Sequence, residues 1–196
     1  MLMTDTGRLV IITGPMFAGK TTKLLSEMQK AVGLKMRIIL FKSALDNRYS
    51  TSEVVSHDGA RLPAATLPNG EEGIKALAEA AKNYEVIGVD EGHFWDDTKG
   101  FAQALNEIAF QSKSVYVSML NRRSDGKPFN VAKELMPLAD HVHFITAKCS
   151  KCGRRATFTH RITPYSTING KVSYVGGKGD YEARCRSCFT APPPKQ

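Results

Sequence analysis

LVIITGPMFAGKTT, residues 9–22, joins a short apolar run to a glycine-rich loop and then to a helix-like segment. The loop fits the pattern G-x-x-x-x-G-K-[ST], with Gly14, Gly19, Lys20 and Thr21 in the defining places. Glycines at those offsets let the backbone curl until several N–H groups point at one anion. The helix that follows adds its own N–H groups and the positive end of its dipole. Lys20 reaches the outer phosphates of a nucleoside triphosphate, and the Thr21 hydroxyl is a ligand for Mg²⁺. The alternative is a glycine-rich turn that matches by chance, but a strand before and a helix after are the context the motif requires.

Working outward, the first three-quarters of the chain alternates strand-like and helix-like stretches. Residues 21–32 read as a helix that Gly33 can end, and MRIILF (36–41) as the next strand. Residues 43–68 are polar and contain prolines, and they read as irregular. The segment 71–83 has acids first and a lysine late, as a helix dipole prefers. VIGVD (86–90), VYVSML (115–120) and VHFITA (142–147) read as strands. A helix capped by Asp96, Asp97 or Thr98 runs to about Phe110, and another covers 130–136. Near-continuous apolar strands alternating with helices predict an α/β fold, a phosphate-loop type parallel sheet covered on both faces.

After Ala147 the composition changes. Cys149, Cys152, Cys185 and Cys188 bracket a stretch with few apolar side chains. The expectation is a nucleotide-binding domain over 1–147, a small zinc-binding module over 148–190, and a frayed tail over 191–196. Two C-x-x-C pairs suit four thiolates around a tetrahedral structural Zn²⁺. Buried unrelated cysteines or two redox pairs are the alternatives. There is no run of about 18 apolar residues, so a membrane span is not expected. MLMTDTGR lacks the layout of a secretory signal, which points to the cytoplasm.

The net charge of +8 is placed unevenly. Basic and acidic residues cancel over 1–147, while 148–196 holds ten Lys/Arg against Asp180 and Glu182. A basic module on a phosphate-loop core is compatible with a nucleic-acid-binding ATPase. A solvated surface, or basic groups that favour cysteine thiolates, explains the same charge and is the preferred reading.

VIGVDEG puts Asp90 and Glu91 at the end of an apolar strand. An Asp there is the partner of a phosphate loop and holds Mg²⁺ directly or through water. Glu91 is then available to take a proton from an attacking hydroxyl. A pair of helix-capping acids is the alternative. LDNRYS (45–50) lies on the C-terminal side of a strand, where open α/β sheets bind ligands. His57 and Asp58 sit in what reads as a turn, His141 and His143 read as structural, and Trp95 as core.

Taken in order, GPMFAGKTT, LDNRYS, VDEGHFW, KPF, the two C-x-x-C pairs, YVGG and DYEARCRSC resemble the type II thymidine kinases, from about Arg8 to Phe189. The resemblance implies a kinase that turns ATP and thymidine into ADP and thymidine monophosphate. It implies that Gly14, Pro15, Met16, Phe17, Ala18, Gly19, Lys20 and Thr21 hold the ATP phosphates, with Mg²⁺ at Thr21. Asp46, Asn47, Arg48, Asp90, Gly92 and His93 would stand near nucleotide and metal, and Glu91 would be the general base. Backbone groups of Val172, Ser173, Tyr174, Val175 and Gly176 would read the thymine edge, and Tyr181 would bond the sugar. Met16, Phe94, Leu120, Phe129 and Thr159 would wall the base. Two positions depart from the family: His93 replaces the usual Gln, and Ser124 stands where an aromatic commonly faces the nucleoside. Homotetramers and feedback inhibition by thymidine triphosphate are also implied.

Overall fold

The computed structural model describes residues 6–45, 53–56, 59–164, 167–168, 171–172 and 176–191. Strand β1 (Arg8–Thr13) leads through the glycine-rich loop into α1 (Lys20–Gly33), and β2 (Ile38–Ser43) follows. Three short strands come next: β3 (Glu53–Val55), β4 (Arg61–Pro63) and β5 (Ala65–Leu67). The core continues with α2 (Glu71–Ala81), β6 (Val86–Asp90), α3 (Thr98–Phe110), β7 (Ser114–Met119), α4 (Asn130–Leu135) and β8 (His141–Phe144). Among the described residues, six strands form one sheet in the order β5-β2-β6-β7-β1-β8. Every pairing in it is parallel.

The centre of the sheet is dry for the reason the sequence suggests. All of β6 and β7 is buried, and β1 is buried from Leu9 onward. Side chains alternate between faces, so each strand feeds two cores. On one face Val10, Ile12, Leu40 and Val86 pack against Leu24, Leu25 and Met28 of α1, joined by Val54 of β3. On the other, Leu9, Ile11, Phe41, Ile87, Val89, Val115 and Val117 pack against α2, α3 and α4. Each fully buried Leu, Ile or Val contributes about 1.5–3 kcal/mol relative to exposure. Trp95 lies in the second core, stacked on Phe101 with ring centroids 4.5 Å apart.

Several boundaries differ from expectation. The stretch 43–68 is not irregular throughout: β3 and β4 pair as a hairpin, and β5 closes one edge of the sheet against β2. Strand β2 runs to Ser43 rather than Phe41, because Lys42 and Ser43 are polar yet buried beside the loop site. Gly33 is the last residue of α1, and Lys35 takes the left-handed position beyond it (φ 59°). Helix α2 stops at Ala81, and α4 gives way to a 3₁₀ turn at Met136–Leu138. Of the three candidate caps for α3, Asp97 accepts from Gly100 N–H at 3.0 Å. His141 and His143 lie exposed on the edge strand β8, in register with Val10 and Ile12.

The remaining segment is built from short antiparallel pairs. β9 (Ala147–Lys148) pairs with β10 (Arg155–Ala156), and β11 (Phe158–Arg161) with β14 (Tyr181–Arg184). β12 (Thr167–Ile168) pairs with β13 (Lys171–Val172) in the loop between β11 and β14. Its own core consists of Cys149, Ala156, Ala183 and Cys185, with Ala147 and Cys188 against them. So little apolar bulk cannot by itself offset the entropy of ordering this segment.

Candidate active site

The glycine-rich loop is shaped by contacts as well as by sequence. Thr13 ends β1 with its hydroxyl donating to the Met119 carbonyl at 3.0 Å. Gly14 then passes so close to β8 that a Cβ there would stand 2.1 Å from the Ile145 carbonyl oxygen. Phe17 (φ 65°) and Gly19 (φ 83°) adopt left-handed backbone, the alternation that turns successive N–H groups inward as an anion nest. Helix α1 begins at Lys20 with no side-chain cap and no acid in its first turn. That leaves its N-terminal end suited to a phosphate. Lys20 is buried, and its Nζ donates to the Pro15 carbonyl at 2.9 Å.

Asp90 closes β6 at 4 % exposure. The Thr21 hydroxyl donates to its Oδ2 at 3.1 Å. Together they offer a hydroxyl and a carboxylate to a hard cation, the donor set that Mg²⁺ takes beside a phosphate loop. Glu91, the next residue, has φ 53° and ψ 39°. A non-glycine residue held there stores about 1–3 kcal/mol, and such strain collects at working sites. The 3₁₀ turn Gly92–Phe94 follows and brings His93 back under the carboxylate. His93 Nδ1 lies 3.4 Å from Glu91 Oε2 and accepts from Leu120 N–H at 3.3 Å.

Two adjoining cavities meet at this point. One, of about 20 Å³, is lined by Met16, Lys20, Glu91, His93, Phe94, Leu120 and Gly176. The other, of about 10 Å³, is lined by Met16, Leu120, Arg122, Arg123, Ser124, Phe129, Thr159 and Tyr181. They share Met16 and Leu120. The structure therefore gathers the loop, Glu91 and the expected base-walling residues around one space. Ser124 is buried on that wall, on a turn whose Gly126 packs against Phe189 of the cysteine segment. Asp46, Asn47, Arg48, His57, Asp58, Ser173, Tyr174 and Val175 lie outside the described residues. Val172 pairs with Thr167 in the β12–β13 hairpin, and Gly176 reaches the cavity.

Further hydrogen bonds hold the segment in place. Met16 N–H donates to the Thr159 hydroxyl at 3.0 Å, tying the loop to β11. Arg161 donates to the Tyr181 hydroxyl at 2.5 Å and to the Thr163 and Pro164 carbonyls at 3.0 Å each. Asp180 accepts from the Thr163 hydroxyl at 3.0 Å and from Gly177 N–H at 3.2 Å. These bonds clasp the two ends of the 162–180 loop. The Gly177 N–H, then the Thr163 hydroxyl, then Arg161 hold the Asp180 carboxyl below its usual range. A depressed pKa adds stability that is present above the unfolded value and lost as pH falls through the folded one. We expect the clasp to hold unchanged down to about pH 4 and to loosen below it. In Asp180→Asn it should be weaker at neutral pH and lose that acid transition. Backbone hydrogen exchange at Gly177 across pH checks this, and an acid transition of the same size in both proteins would refute the clasp.

The four cysteines come together as their spacing predicts. Their sulfurs lie within 4.8 Å of one another, with Cys152 and Cys185 Sγ 3.6 Å apart. A tetrahedral zinc with Zn–S near 2.3 Å sets edges of about 3.8 Å. The Cys149–Gly153 turn and the Cys185–Phe189 turn each close with backbone bonds of 2.9 Å, which fixes both pairs. Arg154, donating to Cys152 Sγ at 3.4 Å, pulls that thiol down to about 6. Hydrogen bonding to Cys185 pushes Cys188 up to about 12. Much of the basic charge after residue 147 is also used internally. Arg154 serves Cys152, Arg161 serves Tyr181, Arg184 pairs with Glu182, and Arg186 lies 4.9 Å over the Phe158 ring. These contacts account for four of the ten Lys/Arg of that segment.

A parallel sheet with this loop, a carboxylate at the end of β6 and a neighbouring strained acid defines a phosphate-loop nucleotide-binding enzyme of the phosphotransferase class. Comparison with known proteins narrows it. The thymidine kinase family matches over residues 7–189. A thymidine kinase of Thermococcus kodakarensis is 44 % identical over 190 residues, covering 95 % of each chain. One of Pyrobaculum aerophilum is 37 % identical over 192 residues, covering 94 % of this chain and 100 % of its own. The chain belongs to the thymidine kinase family. No helix among the described residues is long and apolar enough to cross a membrane.

Proposed function

We propose that the chain transfers the γ-phosphoryl group of ATP to the 5′-hydroxyl of thymidine, a step of nucleotide salvage. The observation that carries this is the placement of Glu91. It lines one cavity together with Lys20 and Gly176. A base so placed, between phosphate cradle and acceptor pocket, serves transfer to a bound hydroxyl rather than to free water.

In this reading the first 147 residues bind ATP, residues 148–190 bind the nucleoside, and 191–196 form a tail. The loop from Gly14 to Thr21 wraps the phosphates, and Lys20 exchanges the Pro15 carbonyl for the outer phosphate oxygens. Thr21 and Asp90 would hold Mg²⁺, which would neutralise part of the phosphate charge. The thymine would lie among Met16, Phe94, Leu120, Phe129 and Thr159, with the sugar toward Tyr181 and the 5′-hydroxyl toward Glu91. Glu91 takes the hydroxyl proton as the oxygen attacks. The Thr159–Tyr181 segment excludes water, which otherwise would compete for the phosphoryl group. Zn²⁺ on the four cysteines keeps that segment folded.

The resemblance also supports a homotetramer, inhibition by thymidine triphosphate and work in the cytoplasm. Exposed Val32, Leu34, Phe110 and Phe144 leave apolar area that assembly would cover.

The test is purified protein with Mg·ATP and each of the four deoxynucleosides, reading monophosphate. Thymidine should be favoured over deoxycytidine by about 10² or more in kcat/KM, because a backbone edge that fits thymine N3–H and O4 leaves both partners unpaired against cytosine. Comparable values for the two would overturn the recognition mode. ATP hydrolysis without monophosphate would overturn the kinase.

A further inference from the structure

We propose that the hollow between the phosphate loop and the cysteine segment receives the nucleoside end of the phosphate donor, with Lys148 and Lys178 as its cationic wall. This rests on the chain being an ATP-dependent kinase whose acceptor lies at Glu91.

The hollow measures about 420 Å³. That is within the roughly 300–1,000 Å³ of small-molecule sites. Phe17, Lys148, Ser150, Lys178 and Tyr181 stand around it. Its place follows from the strand order. β1, which delivers the phosphate loop, has β7 on one side and β8 on the other. Glu91 and Leu120, which follow β6 and β7, line the acceptor side. Ala147 and Lys148, which follow β8, line the hollow. Consecutive loop residues divide in the same way. Met16 lines both acceptor cavities, and Phe17 lines the hollow. Tyr181 is common to the hollow and one acceptor cavity, so it walls both.

Phosphoryl transfer needs such a division. The acceptor oxygen forms its bond to the γ-phosphorus while the bond from that phosphorus to the β–γ bridging oxygen breaks. The two oxygens lie roughly in line, and the electrons of the broken bond leave with the diphosphate. With the acceptor at Glu91 and the γ-phosphate at Lys20, the diphosphate runs along the loop away from Glu91. Phe17 is the loop residue on that side, and the hollow beside it is where ribose and purine arrive.

The lining suits this cargo. The Phe17 and Tyr181 rings offer apolar surface to a purine. Lys148 and Lys178 are exposed, and neither forms an ion pair with a described residue. The acid on the wall, Glu182, is engaged by Arg184, whose Nε donates to its Oε1 at 2.8 Å. The rim is therefore positive toward a polyanion. Lysine stems can lie along a base while the charged ends reach for phosphate.

The turn that carries Lys178 also serves the acceptor. Asp180 and Tyr181 N–H each donate to the Gly177 carbonyl at 3.0 Å. Gly176, just before this turn, lines the acceptor cavity. One turn of the cysteine segment thus touches both substrate spaces.

Photolabelling of the zinc-loaded full chain with Mg²⁺ and 8-azido-ATP tests the proposal, the cross-linked peptides being mapped by mass spectrometry. Label that ATP competes away should fall within residues 147–150 or 178–183. Such label confined to other segments, in a protein that still phosphorylates thymidine, would overturn the subsite alone. Lack of monophosphate from any deoxynucleoside would overturn the kinase reading and the donor assignment with it. Lys148→Met and Lys178→Met keep the stem and remove the charge. Each should raise the KM for ATP about threefold to fivefold, the worth of an exposed charge contact. Turnover at saturating ATP and the KM for thymidine should change less than about twofold. Lys178→Arg should restore the KM for ATP to within about twofold of wild type. Should Lys148→Met disturb the adjacent Cys149, judged by zinc content, the Lys178 variants decide alone. An unchanged KM for ATP in Lys178→Met would remove that residue from the wall and overturn the proposal as stated.

Discussion

Glu91→Gln is expected to lower kcat by roughly 10²–10⁴ while leaving the fold and nucleotide binding in place. Gln keeps the size and polarity of the side chain but cannot take a proton. The left-handed backbone that aims residue 91 is set by the turn Gly92–Phe94 and is indifferent to amide or acid. Affinity for an ATP analogue should therefore change little, since Lys20, Thr21 and the loop N–H groups make those contacts. The measurement is steady-state phosphorylation of thymidine beside analogue titration on the same preparation. Turnover near that of wild type at neutral pH would take the base role from Glu91. A parallel collapse of analogue binding would mean that the substitution had damaged the metal corner at Asp90 instead.

The second large effect concerns the cysteines. Cys185→Ser, or removal of the metal by a chelator, should abolish thymidine binding and phosphoryl transfer while ATP-analogue binding persists, only moderately weakened. The phosphate loop is built into β1 and α1, whose apolar faces are buried against the rest of the sheet. The segment from Cys149 to Cys188 has no such support. Its core is a handful of cysteines and alanines. Without the clamp, closing the loop between the two cysteine pairs costs entropy that nothing local offsets. Tyr181 and Thr159 would then lose their places on the cavity wall. Parallel titrations of nucleotide and thymidine into metal-free and metal-loaded protein decide it. Thymidine affinity that survives metal removal would show that the clasp of Arg161, Thr163 and Asp180 suffices alone.

What could be read from the chain, and what could not, follows the physics of each feature. The phosphate loop and the cysteine pairs are legible because their chemistry fixes their spacing: anion nests and tetrahedral sites tolerate few geometries. β1, β6 and β7 are legible because strands buried on both faces must be apolar throughout. β5 is not. It is three residues long, lies at a sheet edge and is bounded by Pro63-Ala64 and Pro68, so neither periodicity nor composition marks it. The end of β2 misleads for another reason, because Lys42 is buried as a neighbour of Asp90 in the sheet and not as part of a core. The clasp is illegible in principle. Arg161 meets Tyr181, and Thr163 meets Asp180, only once β11 and β14 pair antiparallel. His93 falls between these cases: its position beside Glu91 is visible, but its bond to Leu120 depends on β7.

The strained backbone at residue 91 sets durability against turnover. Glycine would relax there, and even Asn or Asp would sit more easily in that region than Glu. A chain selected only for resistance to heat would be expected to give up its glutamate at this position, and with it the base. Screens for hardier variants of this protein should thus carry a turnover assay, because position 91 rewards the loss of the very group that does the work.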